Sequence, residues 1–361
     1  MTFRRMFQRT VSPVVADFGS SSVKLLQIAG RDNPSIIAAR LLEIPDEARC
    51  DTEKRFAFLA DELPGILKQA GFRGRRILIS PASSHFMVQE TTIDDGGGLS
   101  PDDQVRAEVA GRIGCAPESV VARSFPIPGR PRERVALAIA REEVMRHLEL
   151  LKRSRFDVIG VQPDHLPLVR AFDHIHRRDA DHAMATMYVD AGWSGVKVAV
   201  TRGTELVFAR IIHIGGRQFD EIAASAWESS TTVARKRRIA EESRVLETPP
   251  ACEGSRSPVP DPMDAGLRAR TVEIDPEGGA LVHIETATIM AVEVERRKGS
   301  GSPTLNPVGG PGVNPDLAEV DESIADELLM CARYARAALG GSIDRLVMVG
   351  DKPNQGVCGM P

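Results

Sequence analysis

One pattern occurs twice in this chain. Val14-Val15-Ala16-Asp17-Phe18-Gly19-Ser20-Ser21-Ser22-Val23-Lys24 is followed by a second apolar run, Leu25-Leu26-Gln27-Ile28. Met187-Tyr188-Val189-Asp190-Ala191-Gly192-Trp193-Ser194-Gly195-Val196-Lys197 repeats the spacing Asp-x-Gly-x-x-x-Val-Lys. Each copy reads as strand, tight turn, strand. The echo continues: Ile37 to Ile44 and Phe208 to Ile214 align on a shared Ala-Arg, which predicts a third strand in each half. A single Asp-x-Gly-Ser is an ordinary polar hairpin turn. Two copies in register, each followed by the same strand, point instead to two duplicated halves, each offering strand, phosphate-type turn, strand and strand.

The chemistry of the turns points to an anion. Glycine lets a backbone approach a ligand closely. Hydroxyls and successive N–H groups can ring a phosphate. An acid at the strand end can hold the water shell of a Mg²⁺ ion.

With these residues in view, the chain resembles a known family. Asp17 to Lys24 is similar to the first phosphate loop of PilM, the cytoplasmic actin-like protein of type IV pilus assembly, also called competence protein A, in the FtsA-like branch of the actin-like ATPase superfamily. Further matches are Val161 to Phe172, Ile214 to Asp220 and Ile343 to Gly350. The resemblance covers residues 13–245 and 316–358. It implies an actin-like α/β fold: two duplicated ribonuclease H-like lobes around a cleft, with an FtsA/PilM-type inserted subdomain. The expected domains are 13–83 with 155–182 for the first lobe, 84–154 for the insertion, and 183–246 with 316–361 for a C-terminally truncated second lobe. Residues 247–315 are expected to be a low-complexity, largely disordered insertion, since ten of the 24 prolines and several glycine clusters fall in or beside it.

The resemblance also implies a nucleotide, ATP or ADP with Mg²⁺. Gly19, Ser20, Ser21, Ser22 and Lys24 would hold the β-phosphate side, and Gly192, Ser194 and Gly195 would approach the γ-phosphate. Asp17 and Asp190 would orient Mg²⁺ waters. Gln162 or Asp164 would touch the attacking water, with a helix N-terminal acid as the other reading of Asp164. Lys236 or Arg238 would supply the cation near the adenosine, and Gly350 would begin the adenosine loop. The implied activity is at most that of a weak ATPase. The implied partner is the cytoplasmic tail of a PilN-like inner-membrane protein, with self-association, no nucleic acid, and a peripheral place at the cytoplasmic side of the inner membrane through that partner. Two departures stand out. Trp193 and Val196 occupy positions where relatives have small or hydroxyl residues, and the adenosine loop, Gly350-Asp351-Lys352-Pro353-Asn354, keeps one glycine. The alternatives are therefore an active ATPase or kinase of this fold, and a nucleotide-free binding module. A sugar kinase would need an acidic base aimed into the cleft and a sugar-binding loop, and the sequence offers neither.

Composition narrows the function classes. A net charge of −4 and only two Trp and two Tyr argue against a general nucleic-acid binder that stacks bases. Five widely spaced cysteines with no Cys-x-x-Cys fit free thiols in a reducing compartment. No apolar run approaches the roughly 20 residues that span a bilayer. Met1 to Arg9, with Arg4, Arg5 and Arg9 beside Phe3, Met6 and Phe7, reads as a frayed terminus or as a contact for an anionic membrane surface.

The remaining elements follow from periodicity. Phe56, Leu59, Leu63 and Leu67 predict a helix over 53–70 that Pro64 kinks or restarts. Ser100-Pro101-Asp102-Asp103 is a helix start. Strands are predicted at 86–93, 120–125 and 134–140, the last two separated by Pro126 to Pro131, and helices at 142–154, 217–227 and 231–246. The acids and histidines of 173–182 read as a solvated helix end rather than a metal site, because neighbours two apart do not share a helix face. The basic run Arg235 to Arg238 reads as a solvated face.

Overall fold

The computed structural model describes residues 11–30, 34–94, 98–172, 178–247, 270–271, 292–293 and 315–350. The chain divides into two compact units: Met1–His174 with Ala209–Ile211, and Ile175–Phe208 with Ile212–Pro361. The N-terminal Met1 to Arg9, residues 173–177, most of 247–315 and everything after Gly350 lie outside the described residues, and so do the expectations that fall on them.

The first unit is built on the sheet β3-β2-β1-β4-β8. Strands β1 (Val14–Phe18), β2 (Ser22–Ala29) and β3 (Ser35–Glu43) form an antiparallel meander, and β4 (Arg76–Pro81) and β8 (Asp157–Val161) run parallel to β1. The period-two alternation of β1 turns Val14, Ala16 and Phe18 into the core and leaves Val15 outside. Short helix α1 (Asp46–Arg49) leads to α2 (Thr52–Gln69), which starts on the Asp51 side chain as acceptor for the Lys54 N–H. Leu59, Leu63 and Leu67 recur at helical spacing and pack on Val23, Leu25, Ile77 and Ile79. This stripe decides against the restart expected as one of two outcomes at Pro64. The helix runs through Pro64 without a restart, because the burial of Leu59, Leu63 and Leu67 on both sides of the proline outweighs one missing backbone bond.

An insertion follows β4: β5 (Phe86–Thr92), α3 (Pro101–Ile113), β6 (Val120–Ile127), β7 (Arg130–Ala140) and α4 (Arg141–Arg153). Its strands pair antiparallel in the order β5-β7-β6. Val105, Val109 and Ala110 of α3 close a small core with Val120, Ala136 and Ala138. The loop expected at 126–131 shrinks to Pro128-Gly129. Both strands run further than predicted, since Pro126 falls at a bulge on an edge strand, where a missing donor is harmless. After α4 and β8 comes α5 (His165–Ala171).

The second unit repeats the first in outline. Strands β9 (Ala185–Ala191), β10 (Val196–Arg202) and β11 (Glu205–Ile212) form the meander, α6 (Gly216–Ala226) and α7 (Thr231–Glu247) follow, and two-residue strands β12 (Arg270–Thr271) and β13 (Val292–Glu293) pair in parallel. Helix α8 (Pro315–Leu339) buries Ile324, Leu328, Cys331, Ala335 and Leu339, and β14 (Arg345–Gly350) lies parallel to β9. The order β11-β10-β9-β14 matches β3-β2-β1-β4.

Candidate functional site

In each unit the parallel strands end at one edge, the usual place for a ligand in an α/β sheet. In the first unit that edge carries the turn Gly19-Ser20-Ser21. The repeated spacing now has a structural meaning. Asp17 and Lys24 are direct cross-strand partners, as are Asp190 and Lys197, and the last pairs are Phe18 with Val23 and Ala191 with Val196. A Cβ on Gly19 would lie 3.1 Å from the carbonyl oxygen of Ser22, and one on Gly192 would lie 3.1 Å from that of Gly195. The two hairpins therefore share register and turn geometry residue for residue.

What holds the turns differs. In the first, the guanidinium of Arg55, 5% exposed, donates to the carbonyls of Ser20 (2.8 Å), Gly19 (2.6 Å) and Phe18 (3.4 Å). In the second, the backbone N–H groups of Gly216 and Arg217, at the start of α6, donate to the carbonyls of Gly192 (3.0 Å) and Trp193 (2.8 Å). Gly19 matches Gly192 and Ser20 matches Trp193, so the same two carbonyls are held in both halves, once by a side-chain cation and once by a helix N-terminus. Close backbone contact makes glycine necessary at 215. A Cβ there would meet Gly195 N at 2.5 Å and Gly192 O at 2.6 Å.

Around the first turn the edge gathers several expected site residues. Asp17 pairs with Ser80 of β4, and the Ser80 hydroxyl donates to the carbonyl of Gln162 at 3.0 Å. Asp164 stands at the N-terminus of α5 without capping it, 3.4 Å from Nδ1 of the fully buried His165. Lys24 lies 3.7 Å from Asp17, with side chains 58% and 40% exposed, so this pair contributes little by itself. The matching Lys197–Asp190 pair is closer, 2.5 Å, and more buried, at 13% and 22% exposed.

Around the second turn Trp193 is anchored rather than loose. Its indole N–H donates to Oδ2 of Asp220 at 2.9 Å. Asp220 is 2% exposed, and its Oδ1 accepts from Nε and Nη2 of Arg238 at 3.0 and 2.6 Å, while Arg235 approaches Oδ2 at 3.5 Å. This revises the reading of the basic run on α7. Arg238 is buried against a carboxylate, and Arg237 lies over the Trp227 ring at 4.3 Å. Lys236 is exposed and is the one of the two adenosine-cation candidates that Asp220 does not engage. Ser194 and Gly195 share the turn, and Gly350 ends β14 beside Ala191, with φ +122°.

Sequence reasoning missed Arg55 and Asp220 as supports of the turns. Arg55 had a signal: a cation in the first turn of a helix opposes the helix dipole, so it needs another reason to be there. Asp220 sat between Phe219 and Ala223 on a buried face. Among the described residues no cluster of three or more His, Cys, Asp or Glu side chains gathers. The glycine approach and serine hydroxyls of the first turn suit a phosphate. The acid of the second is already engaged by Lys197.

The first unit also holds a groove of about 870 Å³ on the insertion. Met87, Val109, Ile113, Val120 and Met145 make its apolar lining, and His85 stands in its wall.

No protein-family model matches this chain, and no curated protein matches it. Among solved structures, a chain of a PilM–PilN type IV pilus biogenesis complex is similar over 94% of this chain and 88% of its own, with a TM-score of 0.59 and 15% identity. The cytoplasmic domain of EpsL, an inner-membrane component of the type II secretion system of Vibrio cholerae, matches over 60% of this chain and 76% of its own, with a TM-score of 0.38 and 15% identity. MreB5 of Spiroplasma citri bound to ADP matches over 91% and 82%, with a TM-score of 0.38 and 10% identity. The first match, joined to the duplicated sheet order, identifies the fold as the actin-like α/β fold expected from the sequence. The likeness to PilM holds at the level of that fold. No helix among the described residues is long and apolar enough to cross a membrane.

Proposed function

We propose that this chain is a PilM-type actin-like scaffold of a type IV pilus or related secretion machine. It holds the cytoplasmic tail of a PilN-like inner-membrane protein and takes its peripheral place at the membrane through that tail. The observation that carries the reading is the fold correspondence over nearly the whole length of both chains with a protein of a PilM–PilN complex. The groove on the insertion supplies a site of suitable kind, an apolar trough beside the edge strand β5. An extended tail with alternating apolar residues would set its register there by side-chain pockets and main-chain bonds. The expected affinity is micromolar, about −8 kcal/mol.

The turns at 19–22 and 192–195 are the candidate places for the phosphates of ATP or ADP, with Lys24 as the nearby cation and Asp17 and Asp190 toward Mg²⁺ waters. Gln162 and Asp164 stand at the same edge as the first turn and are the candidates for directing a water. A bound nucleotide would supply the phosphates; the chain's own part is to hold the glycine and serine backbone in one shape. A second reading, a binding module without nucleotide, is favoured by Trp193 and by the α6 amides already engaged with the second turn.

Two titrations separate these readings. A fluorescently labelled PilN-type tail is followed by anisotropy against the wild-type chain and against Met87→Asp and Met145→Asp. Micromolar binding to the wild type, lost in both folded variants, is expected, and equal binding to all three would defeat the groove assignment. Calorimetry with MgATP and MgADP then distinguishes a nucleotide-holding scaffold from the nucleotide-free module.

A further inference from the structure

Helix α4 has two working faces. Glu142, Met145 and Glu149 line the groove. Glu143, His147, Leu150 and Leu151, at complementary helical spacing, are buried against the rest of the unit. The buried face reaches the first turn by two routes. One is packing: the His147 ring sits edge-on to Phe18 at 4.8 Å and to Phe56 at 5.0 Å, so β1 and α2 both lean on it. Its Nδ1 is 2.9 Å from the carbonyl oxygen of Glu143. The other route is charge. Oε1 of Glu143 lies 2.9 Å from Nδ1 of His85, a residue of the groove wall, and 3.4 Å from Nδ1 of His147. Burial works against the ionised form of Glu143, but His85, His147 and Arg146 outweigh it and hold its carboxyl below the usual range. Burial lowers the pKa of the Arg55 guanidinium, and the charge of Glu143 opposes that shift. Arg55 in turn holds the carbonyls of Phe18, Gly19 and Ser20.

We infer that the groove and the first turn are coupled through α4: an occupant that displaces His85 or the Met145 face shifts Glu143 and His147, and with them the packing of His147 on Phe18, where the first turn begins. In this coupling Glu143 and His147 are positioning residues and contact no ligand. The inference rests on the groove being the partner site, as proposed above. It makes partner binding and anion binding at the first turn linked events, each altering the other's affinity by one factor.

The link can be read without nucleotide. Amide hydrogen exchange of the full chain is measured for the segment 17–24, with 190–197 as internal control, in wild type, His85→Ala and Glu143→Gln. We expect exchange of 17–24 to rise about fivefold or more in both variants, with 190–197 unchanged. Because His85 is at the groove wall and partly exposed, its variant keeps the test sound even if Glu143→Gln weakens the fold. The labelled tail is then added to each protein. Protection of 17–24 on tail binding to wild type, lost in Glu143→Gln, supports the coupling. Tail binding that leaves 17–24 unaltered, together with variants that exchange like wild type, overturns it while the partner reading stands. Faster exchange in the variants with no tail binding supports the coupling and defeats the partner reading instead.

Discussion

The second turn stands on Asp220, and replacing that residue tests the account of how the turn is held. The carboxylate is 2% exposed and faces the Trp193 indole at 2.9 Å and Arg238 at 2.6 Å. Asp220→Ala removes the counter-charge from a guanidinium that is itself nearly buried, a change that costs about 3–5 kcal/mol in comparable sites. The lost indole bond adds about 1 kcal/mol, but the two share one carboxylate, so the terms do not sum fully. We expect about 3–4 kcal/mol, a large fraction of the 5–15 kcal/mol of an ordinary domain. Both tryptophans lie in the second unit, so urea unfolding followed by tryptophan fluorescence reports it selectively. In a Trp227→Phe background the signal belongs to Trp193 alone, and its emission should shift red in the folded Asp220→Ala protein as the ring is released. Replacing both partners, Asp220→Ala with Arg238→Met, should be less damaging than the summed single changes by about 2 kcal/mol. A single variant within about 1 kcal/mol of the parent, with unshifted Trp193 emission, would refute the argument that this carboxylate anchors the turn.

Three further expectations follow from the packing. Gly350→Ala should destabilise the end of β14 by about 2–4 kcal/mol in thermal unfolding, because φ is +122° and a Cβ would lie 2.2 Å from the Ala191 carbonyl oxygen. Pro64→Ala should stabilise the first unit by about 1 kcal/mol, by restoring the N–H that α2 lacks at that point, as read by denaturant midpoint. Burial lowers the His147 pKa, so the native state binds fewer protons than the unfolded chain below about 6.5, and stability falls as pH drops through that window. The lowered Glu143 carboxyl extends the loss, with the same sign, below the ordinary glutamate range. In His147→Leu the upper part of the slope should disappear, while the lower part should shrink but persist, since His85 and Arg146 still hold Glu143 low.

The strands and the two turns were legible because their signal is local. A spacing of seven between Asp and Lys, with four residues between the last paired positions, leaves little freedom of register, and both hairpins adopt the same one. Helices α3, α4 and α6 were legible from caps and apolar period. The supports of the turns were not. Arg55 reaches carbonyls 35 to 37 positions earlier in the chain, and Asp220 reaches Trp193 27 positions earlier. Neither partner is visible in a pattern of neighbours. The basic run on α7 misled for a related reason: charge counted along a helix does not reveal that Arg238 points at a buried acid.

The two supports also differ in kind, and this bears on what each turn can do. A duplicated hairpin needs its first two turn carbonyls held, and either a cation or a helix N-terminus satisfies them. The amides of Gly216 and Arg217 belong to the backbone of a helix fixed by glycine contact at 215, so this hold has no ionisable group in it. The Arg55 hold does: burial lowers the pKa of its guanidinium, and the charge of Glu143 opposes that shift. The first turn is therefore held by a side-chain cation, while the second is held by main-chain amides and anchored at Trp193.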